Sequence, residues 1–151
     1  MSPCLRPVSL LAACSLAACA VGPNTSYVSA LAAPTDATVI AAGIGSFMRT
    51  QLPAASTTLV LDPPPPDQTS NALTPALTNA LRHQSFAVAE GAVPAGAHSL
   101  RYWVTPLDGS GELVRLMIDG RQQAARLFVR NTAGNLQSGG PFTVGQMEAS
   151  R

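Results

Sequence analysis

The chain has 151 residues, 46% of them hydrophobic, and carries nine basic side chains, all arginine, against eight acidic ones. That length and composition suit one globular domain with a sizeable core. The net charge is +1 and no cluster of basic residues is present, which argues against direct binding of nucleic acid because that function needs a basic stripe or patch.

An apolar run over residues 8–18 is the first element of the chain, and it ends at Cys19. It follows a short region whose only charge is Arg6, and it has the length of a secretory signal rather than of a membrane span. The two alanines before the cysteine resemble the bacterial lipobox, in which the cysteine thiol receives a diacylglyceryl group and the chain is cut just before it. We therefore expect residues 1–18 to be a lipoprotein signal peptide and Cys19 to be lipidated.

Two alternatives stay open at this end of the chain. Cys14 follows the same local pattern, but its use would leave only residues 8–13 as the apolar core, fewer than the usual seven or more. An ordinary secretory signal without lipidation is the second alternative. No cysteine follows Cys19, so the mature domain would contain neither a disulfide nor a cysteine-based metal site.

The small, uncharged segment 19–34 predicts a flexible tether between the lipid and a periplasmic domain over residues 35–151. No later segment is apolar over eighteen consecutive residues. The lipid is therefore the only membrane attachment that the sequence offers.

The first helix is expected to begin near Pro34, with Thr35 or Asp36 as its cap. An apolar stripe of helical period follows the cap: Ile40, Ile44, Phe47, Met48 and Leu52. Gly43 and Gly45 weaken this helix but would allow a neighbour to pack closely against it.

A strand–helix–strand unit is predicted next. Its first strand covers residues 57–61 and leads into the prolines at 63–66, which form a stiff connector. The start of the helix is ambiguous. Either Thr74 is the N-cap and Pro75 the first helical residue, or the helix starts near Ser70, which would place Pro75 where it breaks a backbone hydrogen bond. Its apolar face consists of Leu73, Leu77, Ala80 and Leu81. The second strand covers residues 86–89, and a right-handed crossover would make the two strands parallel.

From Ser99 onward the hydrophobic period changes to two, which indicates strands. Asp108-Gly109 and Asp119-Gly120 mark turns between them. The predicted strand segments are 99–105, 113–118, 124–130 and, as a last edge strand, 142–144, with a turn-rich segment at 131–140. The fold class is therefore α+β: a small single domain in which two helices pack on a mixed sheet that ends in an antiparallel β-meander.

The sequence contains no recognisable catalytic or metal-binding motif. Its two histidines, His83 and His98, stand outside the HExxH-like spacing of zinc sites, and no Gly-x-Ser-x-Gly nucleophile elbow occurs. We therefore expect no cofactor, no metal and no enzymatic activity.

Aromatic and arginine side chains on the meander are the candidate partner contacts, because these residue types are enriched at binding hot spots. Trp103 shares a strand face with Arg101, whereas Tyr102 faces the opposite side and is the candidate for the core. On a nearby strand, Phe128 shares a face with two arginines, Arg126 and Arg130, and this face is also expected to be exposed.

The order of these features resembles the TrbH family of conjugal transfer lipoproteins. The residues that carry the resemblance are the lipobox at Cys19, the Thr-Thr-Leu-Val-Leu strand at 57–61, the helix ending Ala-Leu-Arg, the Phe-Ala-Val segment after it and the arginines of the β-rich tail. The resemblance is strongest over residues 37–130, and only Cys19 can be carried over with a role.

That resemblance implies a periplasm-facing lipoprotein of the mating-pair formation apparatus, a type IV secretion system. Its expected partners are the outer-membrane channel subunits, and the absence of aspartate at Ala20 implies sorting to the outer membrane. Two other classes stay open from the residues alone. One is an envelope lipoprotein binding module or assembly factor unrelated to conjugation, and the other is a periplasmic hydrolase with a site that the sequence does not reveal.

Overall fold

The structure, a computed structural model, describes residues 25–29, 34–65 and 71–146. Within these ranges, helices α1 (Pro34–Gln51) and α2 (Leu73–His83) lie on one face of an eight-stranded mixed sheet. The strands are β1 (Tyr27–Val28), β2 (Thr58–Leu61), β3 (Ala87–Glu90), β4 (His98–Leu107), β5 (Gly111–Ile118), β6 (Gln122–Arg130), β7 (Leu136–Ser138) and β8 (Thr143–Gln146). This arrangement confirms the predicted α+β class.

The strand order is β3-β2-β4-β5-β6-β7, with β1 beside β4 and β8 beside β6. Strand β2 runs parallel to both β3 and β4, so β2, α2 and β3 form the predicted parallel unit. Strands β4, β5 and β6 are antiparallel neighbours and form the meander. Strands β7 and β8 both pair with β6, at its opposite ends.

Helix α1 buries most of the predicted apolar stripe, in which Ile40, Ile44 and Met48 are at most 1% exposed. Leu52, predicted as its last member, lies just after the helix end and is partly buried. Gly43 lets the helix approach the sheet closely, because a Cβ added there would lie only 2.8 Å from Cζ of Phe128. Gly45 serves the contact with α2 in the same way, since its added Cβ would lie 3.4 Å from the carbonyl oxygen of Ala80. Both glycines therefore permit the close packing that the sequence predicted.

Helix α2 starts at Leu73 and uses a cap that the sequence reasoning did not identify. The Asn71 side-chain oxygen accepts hydrogen bonds from the backbone N–H groups of Leu73, at 3.1 Å, and Thr74, at 3.2 Å. Pro75 falls within the first turn, where its missing N–H has no intrahelical partner to lose. A Thr74 cap would make Pro75 the first helical residue, so this prediction is wrong by two residues. Ser70 lies outside the described residues.

Two aspartate–glycine turns set the register of the meander. Asp108 and Gly109 have φ of 39° and 78°, and Asp119 and Gly120 have φ of 52° and 66°. Such left-handed pairs match the twist of tight hairpins. The Asp119 carboxylate also accepts a hydrogen bond from the backbone N–H of Ser99 at 2.9 Å, which ties the second turn to β4.

Two segments that the sequence assigned to irregular structure contain strands. Residues 27 and 28, predicted as tether, pair with β4, and Ser29 donates its backbone N–H to the Val104 carbonyl at 3.1 Å. Strand β7 lies within the segment predicted as turns. Both strands are too short to show a hydrophobic period, so their pairing depends on backbone hydrogen bonds that the sequence pattern does not reveal.

Candidate functional site

The two faces of the meander have different surroundings. On β4, Leu100, Tyr102 and Val104 are fully buried in the core beneath the helices. Arg101 and Trp103 alternate with them and so point to the other side, which neither described helix covers. We call that other side the open face of the sheet.

One row of side chains crosses the open face over five strands. Tyr27 on β1 lies opposite Trp103 on β4, and Trp103 lies opposite Arg115 on β5. Arg115 in turn lies opposite Ala125, which lies opposite Thr143 on β8. Because residues in register share a face, the row places two aromatic rings and a guanidinium side by side. Tyr27 is 45% exposed, and Arg115 is exposed as well.

A depression of about 410 Å³ lies along this row. Trp103 and Arg115 border it, and Met117, Ala125 and Gly145 are among the residues that line it. The small side chains of β6 and β8 leave space beside the large ones of β4 and β5, which accounts for the depression. Of its lining residues, all within the described part of the chain, Arg115 alone is charged.

Arg101, predicted as a contact beside Trp103, lies on the open face as expected but is engaged within the domain. Its Nε donates to Oδ2 of Asp62 at 3.1 Å, and both side chains are partly exposed. An ion pair of this kind contributes at most about 1 kcal/mol to stability. Its main effect is to neutralise Arg101, so this arginine offers a partner less free charge than its sequence position suggests.

Phe128 and Arg126 lie on the helix side of the sheet, which corrects the expectation that they are exposed together with Trp103. Phe128 is 1% exposed because Gly43 of α1 packs directly on its ring. The Arg126 guanidinium stacks on two rings, 5.2 Å from the centroid of Phe128 and 5.3 Å from that of Phe142, and donates to Ser138. Burial lowers the pKa of Arg126. The error arose because alternation assigns residues to two faces without saying which one the helices cover.

Arg130 is also directed inward, where it joins two carboxylates. Its Nη2 lies 2.5 Å from Oδ2 of Asp36 and 3.6 Å from Oε1 of Glu112. Both acidic residues are buried, at 4% and 2% exposure. Burial raises the pKa of Glu112, and the attraction of Arg130 opposes that shift, whereas the Asp36 hydrogen bond raises the pKa of Arg130. This cluster links α1 to β5 and β6.

Tyr102 and His98 also have polar partners within the domain. The buried Tyr102 hydroxyl lies 2.6 Å from the Thr74 hydroxyl, and burial raises the pKa of Tyr102. His98 begins β4, and its Nδ1 lies 2.6 Å from Oδ2 of Asp119. No group of three or more potential metal ligands occurs in ranges 25–29, 34–65 and 71–146. The open face presents aromatic rings, a cation and a largely apolar depression.

Tyr27 and Arg115 are the parts of this surface that sequence reasoning missed. Arg115 could have been found from the turn at Asp108-Gly109, because a tight turn fixes the register that sets Arg115 opposite Trp103. No comparable signal was available for Tyr27, because β1 is only two residues long and lies far from β4 in the sequence.

The fold defines a small α+β domain. The family model described as "Conjugal transfer protein TrbH" matches residues 21–148, and the chain belongs to that family. No curated protein and no solved structure matches the chain. The match confirms the resemblance found in the sequence.

Membership of this family gives the chain a role in conjugal transfer and associates it with the type IV secretion apparatus of the cell envelope. In the described ranges, neither α1 nor α2 has the length and apolar character that crossing a membrane requires. Cys19 lies outside both the described residues and the matched range.

Proposed function

We propose that this protein is a lipid-anchored structural component of a conjugative type IV secretion apparatus, held at the outer membrane with its domain in the periplasm. Family membership supports the role in conjugation. The observation that carries the structural, rather than enzymatic, role is the open face, where Tyr27, Trp103 and Arg115 form a row suited to a protein contact.

The anchor is the lipid on Cys19, as the lipobox indicates. A Cys19→Ser variant is expected to lose acyl labelling and the corresponding mass, whereas Cys14→Ser is the matched control and is expected to keep both. Labelling that disappears only in the Cys14→Ser variant would assign the lipid to the other cysteine.

The outer membrane is the proposed destination because Ala20, and not aspartate, follows the lipidated cysteine. Fractionation of the native host is expected to recover the protein with outer-membrane markers. Recovery mainly with inner-membrane markers would refute this part of the proposal.

Docking on the channel subunits supplies the specificity that the lipid lacks. One acylated residue gives weak to moderate membrane affinity, whereas several copies arranged around a channel would bind by avidity. The lipid therefore raises the local concentration of the domain, and the open face, with Trp103 and Arg101, makes the contact.

Plasmid transfer tests this role directly. Trp103→Ala is expected to lower transfer and co-purification with channel subunits while the protein stays membrane-bound at normal abundance. Val39→Ala, an exposed position on α1, is the control and is expected to leave transfer unchanged. A fall in the abundance of the Trp103→Ala protein would instead give Trp103 a role in folding. Normal transfer in a strain that lacks the whole gene would remove the conjugation role.

A further inference from the structure

Arg115 is an unengaged cation near the centre of the open face. Its guanidinium takes part in none of the ion pairs and hydrogen bonds found in the described residues. The other arginines of the meander strands differ, since Arg101 pairs with Asp62, Arg126 stacks on aromatic rings, and Arg130 pairs with Asp36. Arg115 is therefore the strand arginine that is available to a partner.

The surroundings of Arg115 favour a partner that carries negative charge. No acidic side chain lines the depression in the described part of the chain, and the lining residues other than Arg115 are apolar or uncharged polar ones. A cationic partner would leave two positive charges facing each other. A carboxylate would pair with the guanidinium through charge-assisted hydrogen bonds, which are stronger than neutral ones.

The dimensions of the depression favour an extended segment. It reaches from β4 to β8, a distance of three strand spacings or about 14 Å. About four residues of extended chain cover that distance. Trp103 and Met117 would meet apolar side chains of such a segment while Arg115 meets its carboxylate.

We propose that this depression binds an extended segment of a partner protein in which a carboxylate side chain stands beside an apolar one. The inference rests on the proposed function only in taking the open face as the docking surface. Arg115 is the residue that selects for acidic segments, and Trp103 supplies the apolar contact.

Trp103 is the only tryptophan of the chain, so its fluorescence reports directly on the site. The full chain, purified in detergent micelles, is titrated with an acetylated hexapeptide of alternating leucine and glutamate. A second hexapeptide replaces each glutamate with glutamine, and a third replaces it with lysine. We expect the glutamate peptide to change the emission of Trp103 saturably and to bind about tenfold more tightly than the glutamine peptide.

The Arg115→Gln variant is expected to bind the glutamate and glutamine peptides equally. Arg82→Gln removes the same charge from an exposed position on α2, and it is expected to keep the tenfold preference. Equal binding of the two peptides by the wild-type chain, or no change in emission at millimolar glutamate peptide, would overturn the proposal. So would an unchanged preference in Arg115→Gln.

Two other occupants would also overturn it, and each gives its own result. A dimer in sedimentation velocity that is lost in Arg115→Gln would assign the depression to a second copy of the chain. Peptide binding that requires removal of residues 147–151 would assign it to the chain's own C-terminal residues. Normal conjugation without the gene would contradict the proposed function and leave the peptide result standing, so the two failures are distinguishable.

Discussion

Arg130 Nη2 lies 2.5 Å from Oδ2 of Asp36, and this ion pair joins strand β6 to the first turn of helix α1. The two residues are separated by 94 positions in the chain. Because Asp36 lies in the first turn of α1 and Arg130 at the end of β6, this pair fixes the start of α1 against the meander.

Removing the arginine of this pair is expected to destabilise the fold substantially. Arg130→Ala leaves Asp36 and Glu112 buried without a cation, and breaking buried pairs in this way costs about 3 kcal/mol. Urea unfolding followed by circular dichroism measures the loss. Arg121→Ala removes an exposed arginine from the β5–β6 turn and is expected to cost less than about 0.5 kcal/mol. Equal losses in the two variants would show that Arg130 is not the residue that holds α1.

Glu112 is expected to make stability depend on pH. Because burial raises its pKa, the folded chain holds the Glu112 proton more tightly than the unfolded chain does. The stability it contributes is complete below the unfolded pKa, near 4.5, and is lost as pH rises through the higher folded pKa. The free energy of unfolding of the wild type, compared with Glu112→Gln, should therefore fall from about pH 4.5 toward neutral pH.

Urea unfolding at several pH values between these limits provides the measurement for Glu112. The matched control is Glu90→Gln, an exposed position on β3. Its difference from the wild type is measured at the same pH values and shows the effect of replacing an exposed glutamate. A difference between wild type and Glu112→Gln that is constant with pH would contradict the burial argument.

Much of the fold could be predicted because its elements carry strong local patterns. The stripe of α1, which includes Ile40 and Ile44, and the alternation around Tyr102 are both periodic over several residues, and the structure buries them as predicted. The cap of α2 shows where such reasoning ends. Asn71 is one of several residues before Leu73 able to cap, and the choice among them depends on tertiary geometry.

The candidate site was less predictable for a physical reason. Alternation correctly placed Trp103 and Tyr102 on opposite faces of the sheet. It did not reveal that Phe128 is buried beneath α1 and that Arg126 stacks on its ring. Which face of a sheet the helices cover depends on the sum of apolar contacts from every strand. On β6, arginines occupy the face that the helices cover, and arginine in a sequence usually indicates an exposed position. Their aliphatic stems and stacked guanidinium groups nevertheless allow partial burial.

The Asn71 cap is expected to contribute measurably to stability. Asn71→Ala removes the acceptor of two backbone N–H groups at the start of α2, and losing such a cap costs about 1 kcal/mol. Asn71→Asp keeps an acceptor oxygen and adds a favourable charge at the helix start, so it is expected to retain most of the stability. Thermal unfolding of both variants checks this. Equal destabilisation would show that the Asn71 side-chain nitrogen, which donates to Thr74, matters more than its oxygen.

The contact between Gly43 and Phe128 predicts a substitution whose effect changes sign. Gly43→Ala should favour the helix by about 1 kcal/mol. The added Cβ would lie 2.8 Å from Phe128 Cζ, however, and overpacking of this kind costs about 1–3 kcal/mol. We therefore expect net destabilisation in the wild-type background. In a Phe128→Leu background the ring atom is gone, and the same Gly43→Ala change is expected to stabilise the protein.

A double-mutant cycle measured by urea unfolding gives the coupling between these two positions. Gly45→Ala is the control, because its added Cβ faces Ala80 of α2 rather than Phe128, and its effect should be the same in both backgrounds. A Gly43→Ala effect that is also independent of residue 128 would mean that α1 moves away from the sheet to accommodate the methyl group. In that case the core would remain stable with α1 farther from β6, and the close approach would not be needed for stability.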